Sequence, residues 1–377
     1  MNTNLKLLVA GLSDPQLLEI IANAPGVKGR KVTTLNNKEQ DLMELIQSII
    51  SKEQLLKEPF FVLDLGVGAS LLKRWSCNLP NVVPCYAIKC NPDPTIPGAL
   101  AALSVSFDCA STAEIETVLS LGVSPESHIK YAASVAIRRL DSKYGAVLGE
   151  IEPLLVAAQA AGLPVCGVSF HVGTGITKVQ VYSRAIAAAK RVFDIAARLG
   201  MPRMHVLDIG GGFSDGPVFE EAGKAVMSAL HDYFGDELSD LKVIAEPGRY
   251  FAQSSFTLAA NVIGKCAKGE MREYWINDNI YGSMSCLQYG NSRVEPPLPL
   301  HSDHEHAIEK KIYRSCVYGP TCDSQDVVLR CHEMPELEVN DWLVFGNMGA
   351  YTIASASNFN GFTKSAIKTY LAYSNST

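Results

Sequence analysis

Five ionisable side chains each end a short apolar stretch of the kind that forms buried parallel strands. They are Lys89, Asp108, His171, Asp208 and Glu246. The carboxyl ends of parallel strands share one rim of a barrel, and catalytic groups gather at that rim. Because all five groups would meet there, the sequence predicts a chemical site at this rim.

Each of these residues also has an ordinary structural interpretation when it is taken alone. Lys89 could form a Schiff base with a carbonyl compound, or its stem could pack on apolar surface while its ammonium reaches water. His171 could be a hydrogen-bonded core residue. Glu246 and Arg249 could form a local ion pair. The functional interpretation depends on the group of residues, because five ionisable strand ends would meet on one rim.

Three consecutive glycines, Gly210–Gly212, follow Asp208 at one of these strand ends. Without side chains, their backbone N–H groups can approach an anion such as a phosphate, although tight packing alone also selects glycine. Pyridoxal phosphate needs a lysine for its aldehyde, donors for its phosphate, a carboxylate for its ring nitrogen and a flat group against its ring. The chain offers all four, so the sequence predicts this cofactor.

The pattern along the chain predicts two kinds of structure. From about Phe60 to Pro247, apolar runs alternate with helical patterns, which is typical of an α/β barrel or a doubly wound sheet. Beyond Phe256 the pattern changes to short strands with Pro and Gly turns, which indicates a β domain. The predicted buried strands are Val82–Lys89, Ser104–Cys109, Val165–His171, His205–Ile209 and Leu241–Ala245. Residues 33–55 remain unassigned.

Composition excludes several classes of partner for this 377-residue chain. A net charge of −6 without a basic run argues against nucleic acid, and 47% hydrophobic residues can fill large cores. No apolar run spans a membrane, and the apolar run near Lys6 is too short for a signal peptide, so we expect a cytosolic protein. The ten cysteines lack metal-ligand spacing. We therefore expect free, mostly buried thiols and no metal site.

Seven motifs in order resemble the fold III pyridoxal-phosphate-dependent decarboxylases of the eukaryotic ornithine decarboxylase family, particularly those of plants. They are YAIKCN, FDCAS, GVSFHVGTG, DIGGGF, AEPGRY, YGPTCDSQD and GNMGAYT, from Tyr86 to Thr352. The resemblance implies an alanine-racemase-like (β/α)8 barrel over residues 67–255. It also implies a β domain formed by residues 1–66 and 256–377, and a head-to-tail homodimer with shared active sites.

The resemblance also implies a role for each matching residue. Lys89 would hold pyridoxal 5'-phosphate, His171 would stack on its ring and Glu246 would pair with the ring nitrogen. From the other subunit, Cys322 would return a proton to Cα after carbon dioxide leaves, and Asp323 would bind the substrate's distal ammonium. The other implied cofactor contacts are Asp108, Thr174 (usually Ser in the family), Gly210, Gly211, Gly212, Gly248, Arg249 and Tyr351, and Tyr289 is implied beside the substrate.

Two departures from the family pattern bear on function. Gly290 follows Tyr289 where the family usually has Asp, a second contact to the distal amine. Losing such a charged hydrogen bond costs about 1.5–3 kcal/mol. In addition, the chain between Asp108 and Val165 is too short for the three barrel strands that the family has there. About two βα units are missing, and a barrel that loses strands must change its shear or leave open edges.

The expected activity is decarboxylation of a basic amino acid, ornithine first, to give putrescine for polyamine synthesis. Decarboxylation of lysine is the alternative within the same chemistry, because the loss of the Asp could reshape the distal pocket. A non-catalytic homologue that acts through mixed dimers is the alternative from another class, because the internal deletion could impair activity. Retention of Lys89, His171, Glu246 and Cys322 together argues for a working site.

Overall fold

The computed structural model describes residues 11–52, 58–123, 129–131, 145–289, 294–301, 311–362 and 367–375. The helices are α1 (Asp14–Ala22), α2 (Lys38–Lys52), α3 (Leu65–Asn78), α4 (Thr95–Ala102), α5 (Thr112–Ser120), α6 (Leu148–Ala160), α7 (Gln180–Arg198), α8 (Val218–Phe234) and the short α9 (Arg249–Ala252). The strands are β1 (Val32–Leu35), β2 (Phe60–Asp64), β3 (Val82–Ala87), β4 (Ser106–Cys109), β5 (Ile129–Tyr131), β6 (Gly167–Ser169), β7 (Val206–Asp208), β8 (Lys242–Ala245), β9 (Phe256–Lys268), β10 (Met271–Ile276), β11 (Leu298–Leu300), β12 (Ile312–Tyr318), β13 (Val327–Pro335), β14 (Trp342–Phe345) and β15 (Lys368–Ser374).

A six-stranded parallel sheet forms the α/β part, in the order β5-β4-β3-β8-β7-β6. The first strand of the unit, β3, pairs with the last, β8, as in a βα barrel. Strands β5 and β6 form the two edges, and no strand in the described part of the chain joins them. The predicted barrel short of about two βα units is therefore present as an open barrel. Its strands other than β5 begin and end within two residues of the predicted bounds.

Local sequence signals mark the start of α5 and the ends of α5, α6 and α7. Ser111 Oγ accepts a hydrogen bond from the Glu114 N–H (3.3 Å), and Glu114 Oε2 accepts one from the Ala110 N–H (2.6 Å), which starts α5. Gly122, Gly162 and Gly200 follow α5, α6 and α7 with φ of +77°, +67° and +70°. Glycine adopts this left-handed conformation without a steric cost, so these three residues end their helices.

The second sheet has nine strands, along the path β1-β15-β2-β9-β10-β12-β13, with β14 paired to β9 and β11. Strand β9 begins at Phe256, where the sequence predicts the change to a β domain. Strand β1 and helix α2 occupy most of the unassigned stretch 33–55. In α1, Leu17 and Ile21 share a buried core with α3 and α4 of the barrel. This part of the N-terminal segment 1–66 therefore packs on the barrel side.

Aromatic residues of the barrel core pack against the segments that contain the candidate site residues. Trp75 of α3 is 1% exposed. It packs edge-on against Phe213, with ring centroids 5.0 Å apart, and against Tyr250 at 5.2 Å. Phe213 follows the three glycines and Tyr250 follows Arg249, so this cluster anchors two candidate site segments.

Two class-level predictions can be compared with the described residues. None of the described helices has the length and apolar character needed to cross a bilayer. All ten cysteines are free thiols, and five of them are buried. The thiols were expected to be mostly buried, but Cys77, Cys166, Cys322 and Cys331 are exposed.

Candidate active site

One cleft at the carboxyl rim of the open barrel, about 380 Å3 in volume, collects most of the predicted cofactor contacts. It is lined by Lys89, His171, Thr174, Gly211, Gly212, Phe213, Glu246, Gly248, Arg249 and Tyr351. The residues come from the ends of β3, β6, β7 and β8 and from the loop after β14.

Lys89 lies in the single 3-10 turn that follows β3 and forms an ion pair with Asp108 at the end of β4. Its Nζ lies 3.0 Å from Asp108 Oδ2; the lysine side chain is 46% exposed, whereas the aspartate side chain is fully buried. Burial opposes the charge on the amine, but the Asp108 carboxylate outweighs burial and raises the pKa of Lys89. Asp108 therefore holds the amine as an ammonium until a reaction partner displaces the pair.

His171 follows β6 with its ring oriented by the backbone. The Gly173 N–H donates to His171 Nδ1 (2.8 Å), so the neutral ring carries its proton on Nε2. Burial lowers the pKa of His171; the Glu246 carboxylate opposes this shift and the charge of Lys89 adds to it. The cleft thus contains an uncharged, flat imidazole.

The glycine turn Gly210–Gly212 is too closely packed for side chains. A Cβ at Gly211 would lie 2.8 Å from the Glu246 carbonyl oxygen, and a Cβ at Gly212, where φ is +92°, would lie 2.1 Å from the Gly173 carbonyl oxygen. Only glycine allows this approach, and Gly211 and Gly212 line the cleft without side chains between their backbone and a bound anion. This geometry favours a phosphate-sized anion.

A cation completes the anion-binding side of the cleft. The Arg249 guanidinium lies over the Tyr351 ring, 5.4 Å from its centroid, and Arg249 Nη1 donates to Gln253 Oε1 (3.0 Å). Tyr351 has a φ of +57° and donates its N–H to the Cys90 carbonyl (2.9 Å), directly after Lys89. The loop after β14 is therefore clipped to the lysine turn.

This donor set fits pyridoxal phosphate. The phosphate suits the glycine turn, Thr174, Arg249 and Tyr351. The aldehyde suits Lys89. The ring nitrogen suits the Glu246 carboxylate, and the flat ring suits the His171 imidazole. Added side chains at the glycine turn would collide with backbone oxygens, so the turn could not keep its present shape. The residues predicted from sequence are thus brought into one place with compatible chemistry.

Cys322 and Asp323 are not part of this cleft. They lie in the loop between β12 and β13 of the β domain, where Cys322 is exposed and its Sγ is 3.9 Å from the Asn360 side chain. The Tyr281 hydroxyl donates to Asp323 Oδ2, and the Gln325 N–H donates to Asp323 Oδ1 (2.9 Å). Within one chain, this loop is separate from the cleft.

Two residues of the site were not singled out from sequence, and two predicted positions cannot be compared. Phe213 lines the cleft and Tyr281 orients Asp323. Asp208, predicted as one of the five strand-end groups, accepts a hydrogen bond from the Gly210 N–H. The Tyr289 side chain and Gly290 lie outside the described residues.

The family profile for the pyridoxal-binding domain of pyridoxal-dependent decarboxylases matches residues 69–138 and 128–253. "Ornithine decarboxylase, chloroplastic" from Nicotiana glutinosa is 47% identical over 395 positions, covering 91% of both chains. Because 395 exceeds the 377 residues of this chain, the relative has residues without a counterpart here. Antizyme inhibitor 2 from Xenopus laevis is 38% identical, covering 87% of this chain and 84% of its own.

A solved structure shares the architecture. The lysine/ornithine decarboxylase from Vibrio vulnificus, complexed with cadaverine, superposes with a TM-score of 0.78 at 26% identity, covering 90% of this chain and 99% of that chain. Sequence matches along most of the chain, the shared fold and the lysine-containing cleft agree with one another. The chain therefore belongs to the pyridoxal-dependent decarboxylases.

Proposed function

We propose that this protein decarboxylates L-ornithine to putrescine and carbon dioxide with pyridoxal 5'-phosphate. The observation that carries the proposal is the single cleft that joins Lys89, the glycine turn, Arg249 and Glu246. The Nicotiana relative, named as an ornithine decarboxylase, supports ornithine as the first substrate.

The residues of the cleft divide the work of binding and proton control. Bound pyridoxal phosphate supplies an electron sink for the carbanion left at Cα when the carboxylate departs. Lys89, paired with Asp108 in the free protein, would hold the cofactor through Nζ. Glu246 would keep a proton on the ring nitrogen, and the neutral ring of His171 would lie against the cofactor ring without adding charge.

The loop of Cys322 and Asp323 leads us to propose a homodimer in which each cleft is completed by its neighbour. Cys322 is exposed and outside the cleft of its own chain, although the family pattern assigns it the return of a proton to Cα. Mixing Lys89→Ala and Cys322→Ala chains tests this arrangement. If sites are shared, random dimers recover about a quarter of wild-type activity; if each chain acts alone, the mixture stays inactive.

Asp323 is the proposed contact to the distal ammonium of the substrate. Gly290, where the family usually has Asp, leaves one fewer anion, so lysine remains the alternative substrate. Restoring the anion with Gly290→Asp should tighten ornithine binding more than lysine binding, by at most about 3 kcal/mol. Equal changes in KM for the two substrates would show that Gly290 does not face the distal amine.

The direct test is release of carbon dioxide from ornithine, lysine and arginine by the purified full chain loaded with pyridoxal phosphate. We expect the highest kcat/KM with ornithine. Lys89→Ala should abolish activity and the visible absorbance of the lysine-bound cofactor. Lys190→Ala is the matched control, because Lys190 pairs with Asp194 and Glu237 on the barrel surface, outside the cleft. A cofactor-loaded wild type without activity would contradict the proposal.

A second candidate is a non-catalytic homologue that acts through mixed dimers. The open barrel and the likeness to the Xenopus protein named antizyme inhibitor 2 favour it. It predicts no activity in the wild type, together with co-purification of this chain with an active decarboxylase of the same family. Activity in the wild type would remove this candidate.

We also propose a cytosolic location, as the sequence predicts. The Nicotiana relatives are named as chloroplastic, so a plastid is the competing location. A fluorescent protein fused to the carboxyl terminus distinguishes the two in plant cells.

A further inference from the structure

His171 extends from a strand, β6, that pairs with one neighbour among the described strands. Strand β6 pairs with β7 through Gly167, Val168 and Ser169, and no described strand covers its other edge. In a closed barrel, a strand is held in register from both sides. Here other contacts must fix the chain at His171, because it lies beyond the last paired residue.

Asp208, at the end of β7, supplies those contacts with three oxygens. Its carbonyl accepts the Phe170 N–H (3.0 Å), its Oδ2 accepts the Ser169 hydroxyl (3.0 Å), and its Oδ1 accepts the Gly210 N–H (2.9 Å). The residue is 2% exposed. A buried carboxylate that accepts hydrogen bonds from two segments ties those segments together, because leaving either donor unpaired is costly.

The two segments tied by Asp208 also touch each other. At Gly210, where φ is +66°, a Cβ would lie 2.2 Å from the Phe170 carbonyl oxygen and 3.0 Å from His171 Cα. A small shift of the glycine turn therefore collides with the strand end, and a shift of the strand end displaces the turn. Asp208 sets the spacing between them.

We propose that Asp208 is a positioning residue that holds the glycine turn, and with it the strand end at His171, in the geometry that binds a phosphate. It does at the open edge of β6 what a further strand would do in a closed barrel. The inference rests on the proposed function, since the phosphate is that of the cofactor. Asp208 itself touches neither the ring nor the reacting atoms, so its effect reaches them through Gly210 and Ser169.

The experiment compares pyridoxal phosphate with pyridoxal, which has the same ring without the phosphate. Dissociation constants are measured by absorbance titration of the full chain. Asp208→Ala should weaken pyridoxal phosphate about ten- to a hundred-fold and pyridoxal much less, because pyridoxal does not use the glycine turn. Asp208→Asn retains an oxygen for the Gly210 N–H, so its loss should stay within about three-fold.

Two further variants complete the design. Asp232→Ala is the matched control: Asp232 also accepts from a serine, Ser228 (3.3 Å), but on the exposed surface of α8, and it should change neither constant. If circular dichroism shows that Asp208→Ala is unfolded, Ser169→Ala takes its place. It should lower the affinity ratio of pyridoxal phosphate to pyridoxal by about three-fold or more.

Each outcome decides between the claims. Equal losses for the two ligands, or no loss, would overturn the positioning role of Asp208. A wild type that binds pyridoxal phosphate without decarboxylating ornithine would contradict the proposed function and leave this inference standing. A wild type that binds no pyridoxal phosphate would overturn both.

Discussion

At the scale of single residues, the site depends on how neighbours fix protonation. Asp108 raises the pKa of Lys89, whereas burial lowers that of His171. One cleft therefore holds a charged amine and a neutral imidazole at neutral pH. The same electrostatic reasoning makes Glu246 and Tyr281 the most informative residues to change.

Glu246→Gln should leave the cofactor bound but slow decarboxylation by at least about ten-fold. A neutral amide cannot secure the ring proton that makes the cofactor an electron sink. Single-turnover kinetics with ornithine measures this step, and absorbance titration checks that the cofactor is present. An unchanged rate would remove Glu246 from its proposed role at the ring nitrogen.

Tyr281→Phe should weaken substrate binding through Asp323. The pKa of Asp323 is held below its ordinary value, first by the Tyr281 hydroxyl and then by the Gln325 N–H. Without the hydroxyl the pKa of Asp323 rises, so the carboxylate becomes protonated at a higher pH than in the wild type. As the pH is lowered, the variant should therefore lose its affinity for ornithine before the wild type does. At neutral pH we expect KM to rise by up to about ten-fold with kcat little changed.

The pH dependence of kcat and KM for ornithine tests this prediction. Tyr313→Phe is the control: the Tyr313 ring stacks on Arg272 in the same domain, away from Asp323. A fall in kcat at constant KM in Tyr281→Phe would show that the tyrosine acts elsewhere in the reaction.

At the scale of elements, the site is assembled from turns that follow strands. Strand β3 delivers Lys89, β4 delivers Asp108, β7 delivers the glycine turn and β8 delivers Glu246. Strands β3, β4, β7 and β8 are neighbours in the sheet. In the described part of the chain no strand lies beyond β5 or β6, so the four strands that deliver Lys89, Asp108, the glycine turn and Glu246 each keep a neighbour on both sides.

The glycine turn gives a prediction with a control in the same loop. Gly212→Ala combines a φ of +92° with a Cβ 2.1 Å from a backbone oxygen, so the turn must move. Strained backbone conformations of this kind cost roughly 1–3 kcal/mol, so we expect the free energy of unfolding to fall by about 1–3 kcal/mol. Because the turn that would bind the phosphate must move, we expect cofactor affinity to fall more than about ten-fold.

The control is Gly216→Ala, whose Cβ would have only Ser214 Oγ near it, at 3.9 Å. Thermal denaturation and absorbance titration of both variants measure the two effects. A tolerant Gly212→Ala, with stability and cofactor affinity like those of Gly216→Ala, would mean that the turn does not need its present shape.

At the scale of the whole molecule, the open barrel exposes apolar surface. Helix α6, which leads into the edge strand β6, leaves Leu154 45% and Val156 47% exposed. The two residues are two positions apart and face different sides of the helix, and each adds exposed apolar surface that favours association. Because β6 has no second neighbour among the described strands, we expect the chain to be prone to self-association.

Replacing Leu154 and Val156 together by Gln should reduce self-association and binding of a hydrophobic dye, while changing the free energy of unfolding by less than about 0.5 kcal/mol. Leu155→Gln is the contrasting variant, because Leu155 is 5% exposed, and it should destabilise the protein by about 2–5 kcal/mol. Light scattering and denaturant titration measure both. Unchanged association in the double variant would show that the α6 surface is not the cause.

The sequence by itself determined the elements and the chemistry. Apolar periodicity located most of the barrel strands, a capping box started α5, glycines ended α5, α6 and α7, and strand-end residues indicated the cofactor, because these signals act over a few neighbouring residues. Even the shortage of strands could be read from the length between Asp108 and Val165. The seven motifs predicted the family and the roles of individual residues, which composition alone does not predict.

Only the tertiary structure decided which residues meet. The ion pair of Lys89 with Asp108, the hydrogen bond of Tyr281 to Asp323 and the bonds of Asp208 join positions far apart in the chain or in separate turns. Such pairings depend on strand order and on how turns pack, which local pattern does not encode. The same holds for the open edge at β6. The length of the sequence predicts that strands are missing, but only the folded structure shows which two of the described strands, β5 and β6, lack a second neighbour in the sheet.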